Sequence, residues 1–345
     1  MKVGTVGFAG SGKSTVFQWL TGAKPDPAKI QHGQLAIAKI PDDRLDWLSA
    51  HFRPKKTTPA TIELLDTPGL LTAERRDNSR RLGILRDANG LLVVLNGFSG
   101  GDLARELRQF REELLFSDLE VITNRIGRLE DQLKKPKPAK EREADQEELA
   151  LLQRLAGDFE QGRPASALGL KEDEEKAVRS FQLLTLKPEF VLVNIGENLI
   201  GQPLAPDFLQ LAPATRQAPV KLELELQDLT PEDRQAFMRD LNLADFSRET
   251  VLRELYAAMG QIVFFTVGED ECRAWGLNRG ATAVEGAAQV HTDLARGFVR
   301  AEVVRFEDFR QVGSMKEAKM HGVYRLEGKT YVVQDGDIMH ILASG

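Results

Sequence analysis

The chain has 345 residues, 42% apolar and 28% charged, with a formal net charge of −6. That length favours two or three domains over one large core. The acidic balance excludes nucleic-acid binding by bulk charge, so any RNA contact must use local basic patches. A single cysteine, Cys272, excludes an intrachain disulfide framework and suits a reducing compartment. The N-terminus enters an apolar segment without a secretory pattern, and the apolar run Leu91–Leu95 is too short to span a bilayer.

Val3-Gly4-Thr5-Val6 reads as a short strand, and Val16, Trp19 and Leu20 stand at helical spacing a few residues later. Between them Gly7-Phe8-Ala9-Gly10-Ser11-Gly12-Lys13-Ser14-Thr15 fits the pattern G-x-x-x-x-G-K-[ST]. Strand, glycine loop and helix is the setting that a phosphate-binding P-loop requires. The glycines let backbone N–H groups curl around the β-phosphate, and the helix N-terminus adds its dipole. Gly10, Ser11, Gly12, Lys13, Ser14 and Thr15 are therefore the expected phosphate-binding residues. Lys13 would reach the β- and γ-phosphates, and Ser14 would place its hydroxyl on Mg²⁺.

Pro25 and Pro27 mark a loop, and Gln34–Ile40 alternates loosely as a strand. Thr61–Leu65 is an apolar strand that runs into Asp66-Thr67-Pro68-Gly69. One strand beyond a P-loop, Asp-x-x-Gly reads as the second half of a nucleotide switch: Asp66 for the metal, the Gly69 N–H for the γ-phosphate. Lys13 and Gly69 are the expected catalytic groups, Ser14 and Asp66 the expected metal ligands.

Gly90–Asn96 and Phe190–Asn194 are continuous apolar runs suited to strands buried on both faces of a parallel sheet. Between them the chain is highly charged from Asp118 to about Asp158, with Ile122, Ile126, Leu129 and Leu133 spaced as a coiled-coil seam. Lys134-Lys135-Pro136-Lys137-Pro138 cannot continue a helix, and a second stretch carries Leu152, Leu155 and Phe159. This predicts two antiparallel helices with a basic tip, inserted into the nucleotide domain. Further on, Val220-Lys221-Leu222 is a possible strand, residues 231–259 read as helices, and short strands with one helix near Val284–Arg296 suggest an α+β module. Tyr331–Ile341 reads as strand, turn, strand.

These stretches together resemble the YchF/Obg-like ATPase family of translation-factor-related P-loop GTPases. The resemblance is carried by Gly7–Thr15, Pro41–Leu45, Asp66–Gly69, Leu183–Pro188, Asn194-Ile195-Gly196-Glu197, His291–Ala301 and Tyr331–Ile341. It implies an α/β P-loop NTPase (GTPase-like) domain at 1–117 and 184–260, an inserted antiparallel α-helical coiled-coil hairpin at 118–183, and a C-terminal α+β β-grasp (TGS, ubiquitin-like) domain at 261–345. It also implies a cytoplasmic monomer that binds ATP or GTP with Mg²⁺, hydrolyses it slowly, and works on a ribosome or RNA through local basic patches and the TGS domain. No membrane is implied.

Asn194 and Glu197 are the expected base-reading residues. Most relatives use Asn-Lys-x-Asp; here Glu197 stands in the fourth position and Ile195 replaces the lysine. A carboxylate displaced by a methylene should lose the bidentate guanine contact, whereas Asn194 can both donate to and accept from adenine. Other departures concern hydrolysis. Gly10 replaces the family's Asn, the first switch around Lys29-Ile30 lacks Thr-Ile, and the second switch is the short Ala73–Arg81. No histidine lies between Phe98 and Glu106, where the family's proposed catalytic one would be. Arg75, Arg76 and Arg105 are candidates for charge stabilisation, and Leu70 stands where Ras-like enzymes carry a water-positioning Gln. Two further readings are a hydrolysis-deficient nucleotide-binding scaffold, which the altered switches favour, and a P-loop kinase, which the Asp66–Gly69 switch and the C-terminal module argue against.

Overall fold

The computed structural model describes residues 1–72, 75–241 and 248–344, with backbone alone for Arg75 and Arg76. Its strands are β1 (Lys2–Val6), β2 (Gln34–Lys39), β3 (Lys56–Thr58), β4 (Thr61–Asp66), β5 (Gly90–Asn96), β6 (Glu189–Asn194), β7 (Thr215–Ala218), β8 (Gln261–Thr266), β9 (Glu271–Asn278), β10 (Phe298–Arg305), β11 (Arg325–Glu327) and β12 (Asp337–Ala343). Contacts divide the chain into two compact units, Met1–Ala36 with Glu63–Ser247, and Ile37–Ile62 with Arg248–Gly345.

In the first unit β4, β1, β5, β6 and β7 run as successive parallel neighbours. β5 is central, and Gly90–Leu95 are buried without a break, as the apolar run predicts for a strand covered on both faces. Val6, Val93, Leu95, Val193, Leu107 and Phe110 meet in the core beneath the P-loop. The P-loop helix Lys13–Thr21 stops at Gly22, whose φ of 77° and N–H to the Gln18 carbonyl close the last turn.

The helical hairpin packs as the seam predicts. Helix Leu103–Leu133 ends before the prolines, and helix Ala139–Glu160 starts immediately after Pro138. Ile122 and Leu129 bury against Leu152, Leu155 and Phe159 in a cluster of their own. The first helix begins well before Asp118, inside the nucleotide domain, so one continuous rod carries the sheet's side chain Leu107 and the hairpin's Ile122.

The expected strand at Val220–Leu222 is a helix, Val220–Leu226. The strand lies one step earlier, where Thr215–Ala218 pairs with Val191–Asn194. Pro219 has no N–H to extend the ladder, and Val220, Glu223 and Leu226 then bury one face at helical spacing. Helices Pro231–Asp240 and Arg248–Ala258 agree with the reading of 231–259; the part at 242–247 lies outside the described residues.

The second unit is a mixed sheet in the order β11-β10-β12-β8-β9-β3. β12 runs parallel to β8 and antiparallel to β10, and helix Ala283–Val290 lays Ala283 and Ala287 on Phe264, Leu277 and Met339. This is the β-grasp arrangement. The helix begins in a capping box, with Thr282 and Glu285 exchanging bonds, and breaks at His291, so the single helix near Val284–Arg296 is two. Tyr331–Val333 makes only an isolated bridge, Val332 to Thr282, in place of the strand expected there.

Candidate functional site

The P-loop fixes its shape through glycines. Gly10 and Gly12 take φ of 84° and 89°, the left-handed region that excludes most side chains. Asn also enters that region, so Gly10 in place of the family's Asn keeps the backbone path. At Gly12 a Cβ would collide with the Asn194 amide, so glycine is required there for close approach as well. That amide donates to the Ser11 carbonyl at 3.1 Å. Asn194 thus braces the loop from the end of β6.

Lys13 is 6% exposed and folds back on the loop, its ammonium donating to the Phe8 carbonyl at 2.9 Å. Burial lowers its pKa to about 8, against the opposing pull of the Asp66 and Glu106 carboxylates, and the Arg81 cation adds to the lowering. A buried ammonium that bonds a backbone carbonyl suits an incoming polyphosphate, whose negative charge would favour the protonated form.

Asp66 closes β4 opposite Thr5 of β1. Its neighbour Thr67 donates from Oγ1 to the Thr5 carbonyl at 2.8 Å, which locks the turn. Burial raises the Asp66 pKa, while the Ser14 hydroxyl, Lys13 and the Thr67 N–H pull it down. Both Asp66 oxygens are nevertheless buried without a satisfied hydrogen bond among the described residues. An orphaned buried carboxylate beside Ser14 fits a divalent cation that takes one carboxylate, one hydroxyl and phosphate oxygens. No cluster of three or more His, Cys, Asp or Glu able to hold a metal occurs among the described residues. Mg²⁺ sites completed by phosphates need none.

Gly69 lies flat on the P-loop. A Cβ there would stand 2.7 Å from the Ala9 Cα and 3.0 Å from the Lys13 ammonium. The next residue, Leu70, is zipped to the loop: its N–H reaches the Gly7 carbonyl at 3.0 Å and its carbonyl accepts from Ala9 at 2.8 Å. Its side chain is 1% exposed, in the apolar core with Phe8. Leu70 therefore points away from any attacking water.

Lys13, Ser14, Asp66, Gly69 and Asn194 thus gather around one loop. Thr15 follows Ser14 in the first turn of the helix. Glu197 is exposed, in a short 3-10 turn just beyond β6. Arg105 is exposed at the start of its helix, and the side chains of Arg75 and Arg76 lie outside the described ones. Three participants escape the sequence motifs. Glu106 receives the Asn96 N–H at 3.2 Å, and Lys13 feels its charge. Asn78 is fully buried and bonds both the N–H and the carbonyl of Leu71, at 2.8 and 2.7 Å. Arg81 donates to the Gly69 carbonyl. Helical spacing from Asn78 to Arg81 places the last two on one face and was the only available signal.

At the hairpin tip, Lys134 pairs with Asp131 at 2.8 Å and Lys137 pairs with Asp145. Lys135 and Lys140 are exposed. The basic tip is accordingly weaker as a patch than its lysine count suggests.

A parallel sheet, a P-loop between β1 and its helix, and an Asp-x-x-Gly turn at the end of β4 define a P-loop protein of the GTPase type. Residues 2–125 match the family described as 50S ribosome-binding GTPase, and residues 261–344 match the YchF GTPase C-terminal family, described as a protein of unknown function. The chain is 31% identical over 365 residues to the ribosome-binding ATPase YchF of Bacillus subtilis (strain 168), covering 99% of this chain and 98% of that protein. It is 32% identical to the protein of that name from Haemophilus ducreyi, with 98% of both chains covered. The solved structure of the Schizosaccharomyces pombe YchF GTPase superposes with a TM-score of 0.84 at 26% identity, covering 99% of this chain and 97% of that one. A GTP-binding protein from Pyrococcus horikoshii OT3 shares the fold at a TM-score of 0.62 and 16% identity. The chain belongs to the YchF family.

Proposed function

We propose that this protein binds ATP or GTP with Mg²⁺, hydrolyses it slowly, and acts as a nucleotide-gated switch on the ribosome or an RNA in the cytoplasm. The observation that carries the reading is the convergence of the Lys13 ammonium, the orphaned Asp66 carboxylate and the Gly69 backbone on one P-loop. Lys13 and the loop amides would stabilise charge on the transferring phosphoryl group, the main lever in this chemistry. Ser14 and Asp66 would hold Mg²⁺, which supplies charge neutralisation between the phosphates. Asn194 braces the loop beside the base, and Glu197 replaces the guanine-reading Asp, so ATP should bind at least as well as GTP.

The ribosome part of the reading rests on the family relatives, which are ribosome-binding ATPases by name. Within it, the division into a nucleotide domain (1–117 and 184–260), a hairpin (118–183) and a TGS domain (261–345) is proposed as the functional one. Lys135 and Lys140 at the hairpin tip and the TGS domain offer the contacts, and the protein is proposed to act as a monomer. No helix among the described residues is long and apolar enough to cross a membrane.

The buried Leu70 and the short second switch favour a second reading, a scaffold in which bound nucleotide sets conformation without turnover. Single-turnover phosphate release with and without ribosomes separates the two. Release stimulated by ribosomes supports the switch; none under either condition, with nucleotide bound, supports the scaffold.

A further inference from the structure

The backbone after Asp66 is held at three successive residues. Leu70 is tied to Gly7 and Ala9 of the P-loop. Leu71 has both its polar groups taken by Asn78. The Gly69 carbonyl accepts from Arg81. The Gly69 N–H is then the one backbone donor of Gly69–Leu71 without a partner among the described residues. Gly69 itself lies close to Lys13, since a Cβ added to it would stand 3.0 Å from the ammonium.

Asn78 and Arg81 lie three residues apart on helix Arg75–Gly83, so one helix face grips the turn on both sides of Leu70. Arg81 is half-buried, and no carboxylate among the described residues pairs with it. Its charge therefore stays available, and Lys13 feels it. A planar guanidinium with a fixed fork of donors can hold a carbonyl and still offer N–H groups to a second oxygen; an ammonium does so less directionally.

We propose that Arg81 is a positioning residue for the γ-phosphate: with the Leu70 N–H bond to Gly7 it fixes the Gly69–Leu70 peptide plane, which anchors Gly69 against the P-loop and leaves its own unpaired N–H for the terminal phosphate. The inference rests on the nucleotide-binding reading above and adds to it the group that distinguishes triphosphate from diphosphate.

The test is the affinity of the full chain for MgADP and for a non-hydrolysable MgATP analogue, in wild type, Arg81→Ala and Arg81→Lys. The expected result is a loss of about tenfold in the triphosphate-to-diphosphate preference for Arg81→Ala, with MgADP affinity within about twofold of wild type. Arg81→Lys should recover part of it. Should the alanine variant fail to fold, Arg81→Gln carries the same measurement, with a severalfold loss expected. Equal weakening of both nucleotides, an unchanged preference, or a wild-type preference already near one overturns the inference. Wild-type protein that binds neither nucleotide overturns the proposed function, and this inference with it.

Discussion

The side-chain amide of Asn194 donates a 3.1 Å hydrogen bond to the carbonyl of Ser11, and so ties the C-terminal end of β6 to the P-loop. The contact is buried, with Asn194 6% and Ser11 1% exposed. A residue expected to read the base is in this structure also a brace for the phosphate cradle. Asn194→Ala should therefore weaken ATP and GTP alike, by about tenfold, the usual cost of a buried polar contact. Equilibrium titration with both nucleotides checks it. A loss confined to one base would show that Asn194 reads the base and leaves the cradle alone.

Lys13 sets a pH dependence with a definite sign. In the nucleotide-free protein its pKa is lowered to about 8 by burial, from an ordinary 10.5. The unfolded chain keeps that proton between about 8 and 10.5 while the folded one sheds it, so this group adds stability as pH rises through that window. Nucleotide binding runs the other way, because polyphosphate needs the ammonium. Affinity for MgATP should fall above about pH 8, by up to about tenfold per pH unit, with proton uptake on binding. Calorimetry in buffers of different ionisation enthalpy measures that uptake, and Lys13→Ala should abolish it.

Much of this site could be read from the chain, because P-loop chemistry fixes residue types at short spacing. Lys13, Ser14, Asp66 and Gly69 are local signals, and the seam from Ile122 to Leu133 is a periodic one. What stayed hidden depends on long-range placement. Glu106 and Arg81 are ordinary charged helix residues until the sheet order brings β1, β4 and β5 together at Lys13. Val220-Lys221-Leu222 misled because a short apolar alternation fits a strand or the first turn of a helix, and only Pro219 and the pairing of Thr215–Ala218 with β6 decide between them. The joining of Ile37–Ile62 to the C-terminal sheet, through Lys56–Thr58 on β9, left no periodic trace in three residues.

The base of the hairpin is fastened by one buried carboxylate. Asp118 is fully buried and accepts from Arg86, from the Leu184 and Thr185 N–H groups and from the Thr185 hydroxyl, each at 2.9 Å. Removing it strands the Arg86 charge and three donors. Asp118→Ala should cost about 3–5 kcal/mol of stability, while Lys134→Ala, which breaks an exposed pair at the tip, should leave stability close to that of the wild type. Urea unfolding of both variants makes the comparison. Equal effects would mean that Asp118 does not fasten the hairpin to the nucleotide domain.

The central claim is that the P-loop binds nucleotide through Lys13. Its most direct test is titration of a fluorescent ATP analogue, with Mg²⁺, into wild-type protein and Lys13→Ala at pH 7. The account predicts saturable binding to wild type and at least about tenfold weaker binding to the variant, from the loss of a charge-assisted contact to phosphate. Equal affinity in the two proteins, with the variant folded, would contradict it.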